Sequence, residues 1–176
     1  MRASAGPRPV RPVGGPEMDL RVHDHHAGSL RRKDVLPTLA RWHFDQWGPL
    51  TGASSLEAYT ALLYTASKRR TVPSVLVALA DGALIGSATL LASDLPARPA
   101  LTPWLAQLFV APGRRRDGVG AALVTAVRER ARRCGYARLD LFTSGTLPDY
   151  YARLGWGTLE RVAYLGRERT VMDIAL

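Results

Sequence analysis

Short apolar runs, bounded by Gly, Pro or Asp, predict most of the strands of this chain. The clearest pair surrounds Asp81-Gly82, a dipeptide that favours a tight hairpin turn between antiparallel strands. A further run around residues 104–110 has the composition of a buried strand, and the last two runs flank Gly166. The pattern predicts strands over residues 20–23, 74–80, 83–91, 104–110, 138–143, 158–165 and 169–176.

Apolar residues that recur at intervals of three and four predict helices between these strands. The strongest example covers residues 119–134, where Arg residues alternate with an apolar stripe and Gly135 provides a C-terminal cap. Ser54 and Glu57 form a capping-box pattern before the second helix. The predicted helices are residues 34–46, 54–66, 119–134 and a short one from Pro148 to Gly155. The strand–helix–strand unit over residues 104–143 predicts one parallel strand pair in a mixed α/β (α+β) fold.

The turn before the third helix has the composition of an anion-binding site. Gly118 and Gly120 allow a ligand to approach the backbone closely. The N–H groups of a first helical turn have no partner within the helix, and the helix dipole adds positive charge there. Arg114, Arg115 and Arg116 contribute full charges beside these groups, so the segment is suited to a phosphate.

Composition adds limits to this picture. With 176 residues, 47% hydrophobic and 22% charged, the chain fits a single domain, which we expect over residues 18–176 after a disordered tail of residues 1–17. The apolar runs are too short for a transmembrane helix and the N-terminus lacks a secretory signal pattern, so we expect no membrane association. One cysteine, Cys134, fits a cytoplasmic location. The net charge of +9 is consistent with an anionic partner. Because no nucleic-acid-binding motif accompanies this charge, we expect no nucleic-acid partner.

Two motifs, in the expected order and spacing, resemble the GNAT superfamily of N-acetyltransferases. The first is Arg115-x-x-Gly118-x-Gly120-Ala121, which resembles the loop that holds the diphosphate of acetyl-coenzyme A. The second is Tyr150-Tyr151-Ala-Arg-Leu-Gly155-Trp156, which matches the Tyr-x-x-x-Gly-aromatic signature. The resemblance implies a mostly antiparallel central sheet flanked by helices, with splayed fourth and fifth strands.

The resemblance also implies acetyl-coenzyme A as co-substrate and a primary amine as acceptor, and it leaves a homodimer open. The acetyl-pantetheine arm would pair with the fourth strand, and the diphosphate would lie on the following loop. The implied cofactor-binding residues are Leu108, Phe109, Val110, Arg115, Arg116, Asp117, Gly118, Val119, Gly120 and Ala121.

The resemblance implies direct attack by the amine, with Tyr151 as general acid for the leaving thiolate and Tyr150 as the fallback. The general base is not identified. Many relatives carry a Glu near Ala106 and an Asn around Ser144, and this chain has neither. Asp94, Asp45, His43 or an ordered water are the open alternatives.

Trp47, Asp94 and Trp104 are the candidate acceptor-site residues, while Trp42 is expected in the core. The cluster of His23, His25 and His26 lacks a compact third-ligand motif, so we expect a solvated loop and no metal.

Three other functions remain open at this stage. A non-catalytic coenzyme A-binding or sensor module would explain the missing carboxylate of the fourth strand. An enzyme of the same class could use a longer acyl-coenzyme A. A nucleic-acid-binding protein would rest on net charge alone.

Overall fold

A computed structural model describes residues 20–24, 35–67 and 71–176. The predicted tail of residues 1–17 and the residues His25 and His26 lie outside the described residues. The elements follow the predicted order. They are β1 (Leu20–Asp24), α1 (Val35–Thr51), α2 (Leu56–Ser67), β2 (Ser74–Ala80), β3 (Ala83–Leu91), β4 (Trp104–Val110), α3 (Val119–Arg133), β5 (Arg138–Thr143), α4 (Leu147–Arg153), β6 (Gly157–Tyr164) and β7 (Arg167–Ala175).

The strands form one seven-stranded sheet in the order β1-β2-β3-β4-β5-β7-β6. Every neighbouring pair is antiparallel except β4 and β5, which are parallel. The turn between β2 and β3 has left-handed φ angles of 48° at Asp81 and 81° at Gly82, as the hairpin dipeptide predicted. The predicted mixed fold with one parallel pair is therefore confirmed.

Helices cover both faces of the sheet, which explains why its central strands are apolar throughout. Alternate residues of β2 contribute to two separate cores. Leu76 packs in the core that includes α3, whereas Val75 and Val77 pack in the core formed with α1 and α2. The face covered by α1 and α2 is the one on which Trp47, a candidate acceptor residue on α1, lies.

A close contact between β3, β4 and α3 depends on Gly86. A Cβ atom at this position would lie 2.8 Å from the Phe109 carbonyl oxygen, 3.1 Å from Leu123 Cδ1 and 3.2 Å from Val119 Cγ1. Because real Cβ atoms do not approach backbone oxygens so closely, only glycine fits here without displacing β4 or the first turn of α3. The glycine therefore sets the spacing of the two elements that flank the basic loop.

The first helix is longer than its predicted span. It continues past Gln46 to Thr51, so Trp47 lies within the helix rather than in a loop. Trp47 makes edge-on ring contacts with His43, at a centroid distance of 5.2 Å, and with Phe109, at 6.4 Å. These tertiary contacts hold the last turn against the sheet, although Gly48 and Pro49 are weak helix formers. Among the described residues, no helix is both long and apolar enough to cross a membrane.

Candidate active site

The centre of the sheet opens between β4 and β5. A single residue pair, Trp104 with Asp140, joins the two strands, and the described residues form no further ladder pair between them. The rest of β4 pairs only with β3 on its other side. The edge of β4 over residues 108–110 therefore faces a gap in the middle of the sheet, as expected for splayed fourth and fifth strands.

The basic loop connects this open edge to α3. Its backbone leaves β4 with Ala111 N–H donating to the Ile85 carbonyl, at 2.9 Å, and turns through a short 3-10 segment at Pro112–Arg114. The guanidinium of Arg115 donates from Nε to the Val110 carbonyl oxygen, at 3.2 Å. This bond ties the loop back onto the end of β4.

The N-terminus of α3 is left without a protein cap. Gly118 occupies the N-cap position in the left-handed conformation, with a φ of 78°, and no side chain caps the helix. Arg116 also has a positive φ, of 74°, which non-glycine residues rarely adopt. The first-turn N–H groups of α3 are therefore available to an external acceptor, beside the exposed side chains of Arg115 and Arg116.

The other residues proposed for the cofactor lie around this helix start. Leu108 and Val110 pack partly buried against the core under α3, and Phe109 faces α1, with its ring centroid 4.9 Å from that of Trp42. Val119 is buried, whereas Asp117, Gly120 and Ala121 are half-buried. The structure therefore brings the predicted cofactor residues together at one end of the β4 gap.

Tyr150 closes the space above Gly120. A Cβ atom at Gly120 would lie 2.8 Å from the Tyr150 hydroxyl oxygen and 3.8 Å from Val110 Cγ2. Burial raises the pKa of Tyr150 above its ordinary value, against the opposing effect of Arg153. The neutral hydroxyl thus lies directly over the first turn of α3, at the site suited to a phosphate.

Tyr151 is more deeply placed than its neighbour. It lies on α4 with 7% of its surface exposed, and its ring contacts Tyr150 at a centroid distance of 5.1 Å and Trp156 at 5.9 Å. Burial raises the pKa of Tyr151 well above the ordinary value, with a smaller contribution from Tyr150. Its hydroxyl therefore remains protonated at neutral pH and can act as a hydrogen-bond donor.

The candidate acceptor residues divide into two groups. Trp47 is half-buried next to Phe109, and Asp94 is half-buried in the loop that leads to β4. Burial raises the pKa of Asp94 to about 6. Burial also raises the pKa of Tyr59, and the negative charge of Asp94 adds a smaller effect in the same direction.

Trp104 belongs to the core instead. It has no exposed surface, its indole Nε1 donates to the Leu101 carbonyl at 2.7 Å, and its ring contacts Phe142 at a centroid distance of 6.2 Å. We therefore assign Trp104 to packing and not to an acceptor pocket. The indole N–H has found a backbone acceptor close by, which is what allows full burial.

His43 and Asp45, two of the open candidates for the general base, are placed differently from Asp94. His43 is fully buried, both ring nitrogens face hydrogen-bonding partners, and burial lowers its pKa to about 4. Asp45 is exposed on α1. Asp94 combines partial exposure with a pKa of about 6, close to the range in which a base accepts protons at neutral pH.

Sequence analysis did not single out a buried polar network under β4. It connects Thr89, Gln107, Tyr59, His43 and Ser87 by side-chain hydrogen bonds. The available signal was the presence of Ser, Thr and Gln within otherwise apolar strands, where an unpaired polar group would be costly. Among the described residues, no group of three or more His, Cys, Asp or Glu is arranged to hold a metal ion.

Several solved structures share this architecture. An aminoglycoside 6'-N-acetyltransferase complexed with coenzyme A superposes with a TM-score of 0.66 at 13% identity, covering 88% of this chain and 96% of that one. A ribosomal-protein-alanine N-acetyltransferase from Brucella melitensis gives 0.65 at 21% identity, covering 89% and 99%. A GNAT acetyltransferase from Elizabethkingia anophelis with acetyl-CoA bound gives 0.56 at 18%, covering 89% and 98%.

These identities are low enough that the superpositions establish the fold alone. A search of curated protein sequences finds no significant match. The model of the acetyltransferase (GNAT) family matches residues 36–156, which is well over half of the chain and includes both the basic loop and the tyrosine motif. The chain therefore belongs to the GNAT family of acetyltransferases.

Proposed function

We propose that this protein transfers the acetyl group of acetyl-coenzyme A to a primary amine by direct attack of the amine on the thioester. The observation that carries the proposal is the uncapped, arginine-flanked N-terminus of α3, which opens at the end of β4 beside the gap between β4 and β5. One end of the gap thus offers a site for a diphosphate. The gap itself offers an open strand edge to an extended arm.

The diphosphate would be held by the first-turn N–H groups of α3 together with Arg115 and Arg116. Gly118 supports this assignment because its left-handed φ turns the backbone into the helix without a side chain over the N–H groups. The pantetheine arm would lie along residues 108–110, whose backbone groups face the gap.

The bond changes of the reaction suggest a role for Tyr151 at the leaving thiolate. The neutral amine nitrogen forms a bond to the carbonyl carbon, the carbon–sulfur bond breaks, and the thiolate leaves with the electron pair. The nitrogen then gives up one proton to solvent water and becomes the amide nitrogen. Tyr151 would donate a hydrogen bond to that thiolate. Because burial raises the pKa of this phenol, full proton transfer to a thiolate is uphill, so we assign it mainly to stabilising the leaving group.

Asp94 and Trp47 are proposed for the acceptor. The primary amine arrives as an ammonium ion and must lose a proton before it can attack. Asp94 could bind the ammonium as a carboxylate and accept that proton, and burial places its pKa, at about 6, near the value suited to this exchange. Trp47 offers an aromatic surface near β4. A cytoplasmic location stays a prediction, whereas a longer acyl group and a homodimer stay open alternatives.

A panel of amines tests the proposal. The purified protein is incubated with acetyl-coenzyme A and small primary amines, aminoglycosides or peptides, and thiol release is followed together with the mass of the product. We expect a gain of one acetyl group on nitrogen for at least one class. Asp94→Asn should raise KM for that amine more than KM for acetyl-coenzyme A. Coenzyme A binding without acyl transfer across the panel would favour a sensor module instead.

A further inference from the structure

The strand β4 contains a bulge at Gln107. Ser87 of β3 pairs with Phe109 and Thr89 pairs with Ala106, so Gln107 and Leu108 together oppose the single residue Ala88. Gln107 has a φ of 51°, in the left-handed region that non-glycine residues rarely adopt. The bulge lies immediately before residues 108–110, the edge that faces the gap between β4 and β5.

The side-chain amide of Gln107 is held at both of its ends. Thr89 Oγ1 donates to Oε1 at 3.1 Å, and Nε2 donates to the Tyr59 hydroxyl oxygen at 2.7 Å. Thr89 and Tyr59 are 2% and 3% exposed and Gln107 is half-buried, so water has restricted access to these bonds. Glutamine suits this position because it offers one acceptor and one donor in a fixed plane.

The network continues back to β3 on the other side of the bulge. The Tyr59 hydroxyl lies 3.3 Å from His43 Nδ1, and His43 Nε2 lies 2.7 Å from Ser87 Oγ. With Tyr59 donating to Nδ1, the Nε2–H of a neutral imidazole donates to Ser87. The two ends of the network, Thr89 and Ser87, are thus the β3 residues on either side of Ala88, the residue opposite the bulge.

Proton transport along this chain does not fit the structure. It ends at Ser87, which has no exposed surface, and therefore does not lead to solvent. His43 is also fully buried and neutral near pH 7. A chain of hydrogen bonds that is anchored on β3 at both ends and spans an unfavourable backbone conformation is instead the arrangement expected of a support for that conformation.

We propose that Gln107 is a positioning residue whose clamped side-chain amide fixes the left-handed bulge of β4, and with it the direction of the backbone N–H and C=O groups of Leu108 and Phe109. The bulge sets which of these groups face the gap in which the acetyl-pantetheine arm is proposed to lie. This consequence for ligand binding rests on the proposed function, whereas the conformational role of the clamp does not.

Replacement of Gln107 by glycine and by alanine separates clamping from simple packing. Glycine adopts a positive φ without support, so Gln107→Gly should retain the bulge and bind coenzyme A within about threefold of the wild-type Kd. Gln107→Ala loses the clamp but keeps a Cβ atom, which disfavours a positive φ. The fraction of molecules with the bulge in the conformation that binds coenzyme A should therefore fall, and the Kd should rise about tenfold or more. A packing role predicts the opposite order, because glycine leaves the larger cavity.

A second set of variants leaves Gln107 in place and removes its partners. Tyr59→Phe combined with Thr89→Val should weaken coenzyme A binding, and adding Gln107→Gly to this pair should restore it. Tyr64→Phe, on the same helix but 46% exposed, is the matched control and should bind as the wild type does. Calorimetric titration gives each Kd, and thermal unfolding confirms that each variant is folded.

A ligand-independent measurement distinguishes failure of this inference from failure of the proposed function. Amide resonances of Phe109 and Val110, which do not adjoin the substituted residue, should keep their wild-type positions in Gln107→Gly and move in Gln107→Ala. The inference is overturned if glycine perturbs these amides as much as alanine does, or if it fails to restore binding in the double variant. Absence of coenzyme A binding by the wild type would refute the proposed function while leaving the amide comparison decisive for the clamp.

Discussion

Asp94 shows what a single residue contributes when its surroundings oppose its charge. Burial raises the pKa of its carboxyl from 3.8 to about 6, so ionisation of this group costs the folded protein free energy at neutral pH. A polar residue that lowers stability is often retained for function. An arriving ammonium ion would offset that cost, which is why we place Asp94 in the acceptor site.

The first prediction is that Asp94→Asn stabilises the protein in a pH-dependent way. The folded pKa is raised, so the wild-type contribution is fully present below pH 3.8 and is lost as pH rises through about 6. The free energy of unfolding of the variant should exceed that of the wild type by at most about 3 kcal/mol at pH 8, and the excess should disappear towards pH 4. Urea unfolding across this range measures it. Asp45→Asn, at an exposed residue of α1, is the control for removal of a carboxylate. A difference in the free energy of unfolding between variant and wild type that does not change with pH would contradict the raised pKa of Asp94.

Tyr151→Phe is predicted to lower kcat by roughly 10²-fold, because it removes the hydroxyl that stabilises the departing thiolate and keeps the buried ring. The Kd for coenzyme A should change little, since the bond matters mainly in the transition state. Single-turnover kinetics should be used so that product release does not conceal the effect. Tyr136→Phe, at a half-buried tyrosine in the turn after α3, provides the matched control. A Tyr151→Phe enzyme with the wild-type single-turnover rate would show that this tyrosine only packs.

At the scale of secondary-structure elements, the start of α3 is built from three features that act together. Gly118 turns the chain into the helix, Gly120 lies beneath the Tyr150 hydroxyl, and Gly86 lets the first turn pack closely on β3 and β4. Gly118 and Gly120 are apparent in the sequence because they belong to a motif. The requirement for glycine at position 86 is not apparent, because it arises from contacts with residues more than twenty positions away along the chain.

A pair of substitutions tests what Gly120 leaves room for. Gly120→Ala should weaken coenzyme A binding by roughly tenfold, because its Cβ atom would occupy space needed for the diphosphate. The same Cβ atom would also approach the Tyr150 hydroxyl, so Tyr150→Phe should be added to remove that oxygen.

We expect the double variant to remain weak in binding, because the ligand and not Tyr150 is the group excluded. Restored affinity in the double variant would instead assign the defect to Tyr150. Gly113→Ala lies in the same loop with nothing within 4 Å of its Cβ position, and should bind normally. Calorimetric titration of the four proteins gives the comparison.

For the whole molecule, the sheet consists of two parts joined at one residue pair. Strands β1 to β4 form one part and β5, β7 and β6 the other, with Trp104 and Asp140 as the only ladder pair between them in the described residues. A ligand that lies in the gap contacts both parts. Family membership confirms the predicted enzyme class and acetyl-coenzyme A as its co-substrate. We propose that this co-substrate lies in the gap.

Coenzyme A is therefore predicted to stabilise the folded protein against heat. At a concentration about 100 times its Kd, it should add about 2.7 kcal/mol to the free energy of unfolding. For a domain of this size, that corresponds to a rise in Tm of roughly 5–10 °C. Thermal unfolding with and without coenzyme A measures the shift, and the Gly120→Ala protein at the same concentration should show less. An unchanged Tm would argue against a site in the gap.

Local sequence pattern sufficed for much of the fold. The apolar runs, the hairpin at Asp81-Gly82 and the stripe of α3 are properties of neighbouring residues, so most strand and helix boundaries were predicted within a few positions. The end of α1 was not, because Trp47 is held in the helix by contacts with His43 and with Phe109 of β4. The locations of Arg115, Gly118 and Gly120 at an open helix start also followed from the sequence.

Only the tertiary structure decided how the polar groups inside the molecule are used. It buried Trp104 beside Leu101, left Asp94 half-exposed, and joined Gln107 to residues of β3 and α2 that are 18 and 48 positions away. The sequence determined which elements form and where the phosphate-type turn lies, because short-range periodicity and turn chemistry are sufficient for both. Burial, pKa and hydrogen-bond partnership depend on which distant segments come into contact, and that is settled only when the sheet assembles.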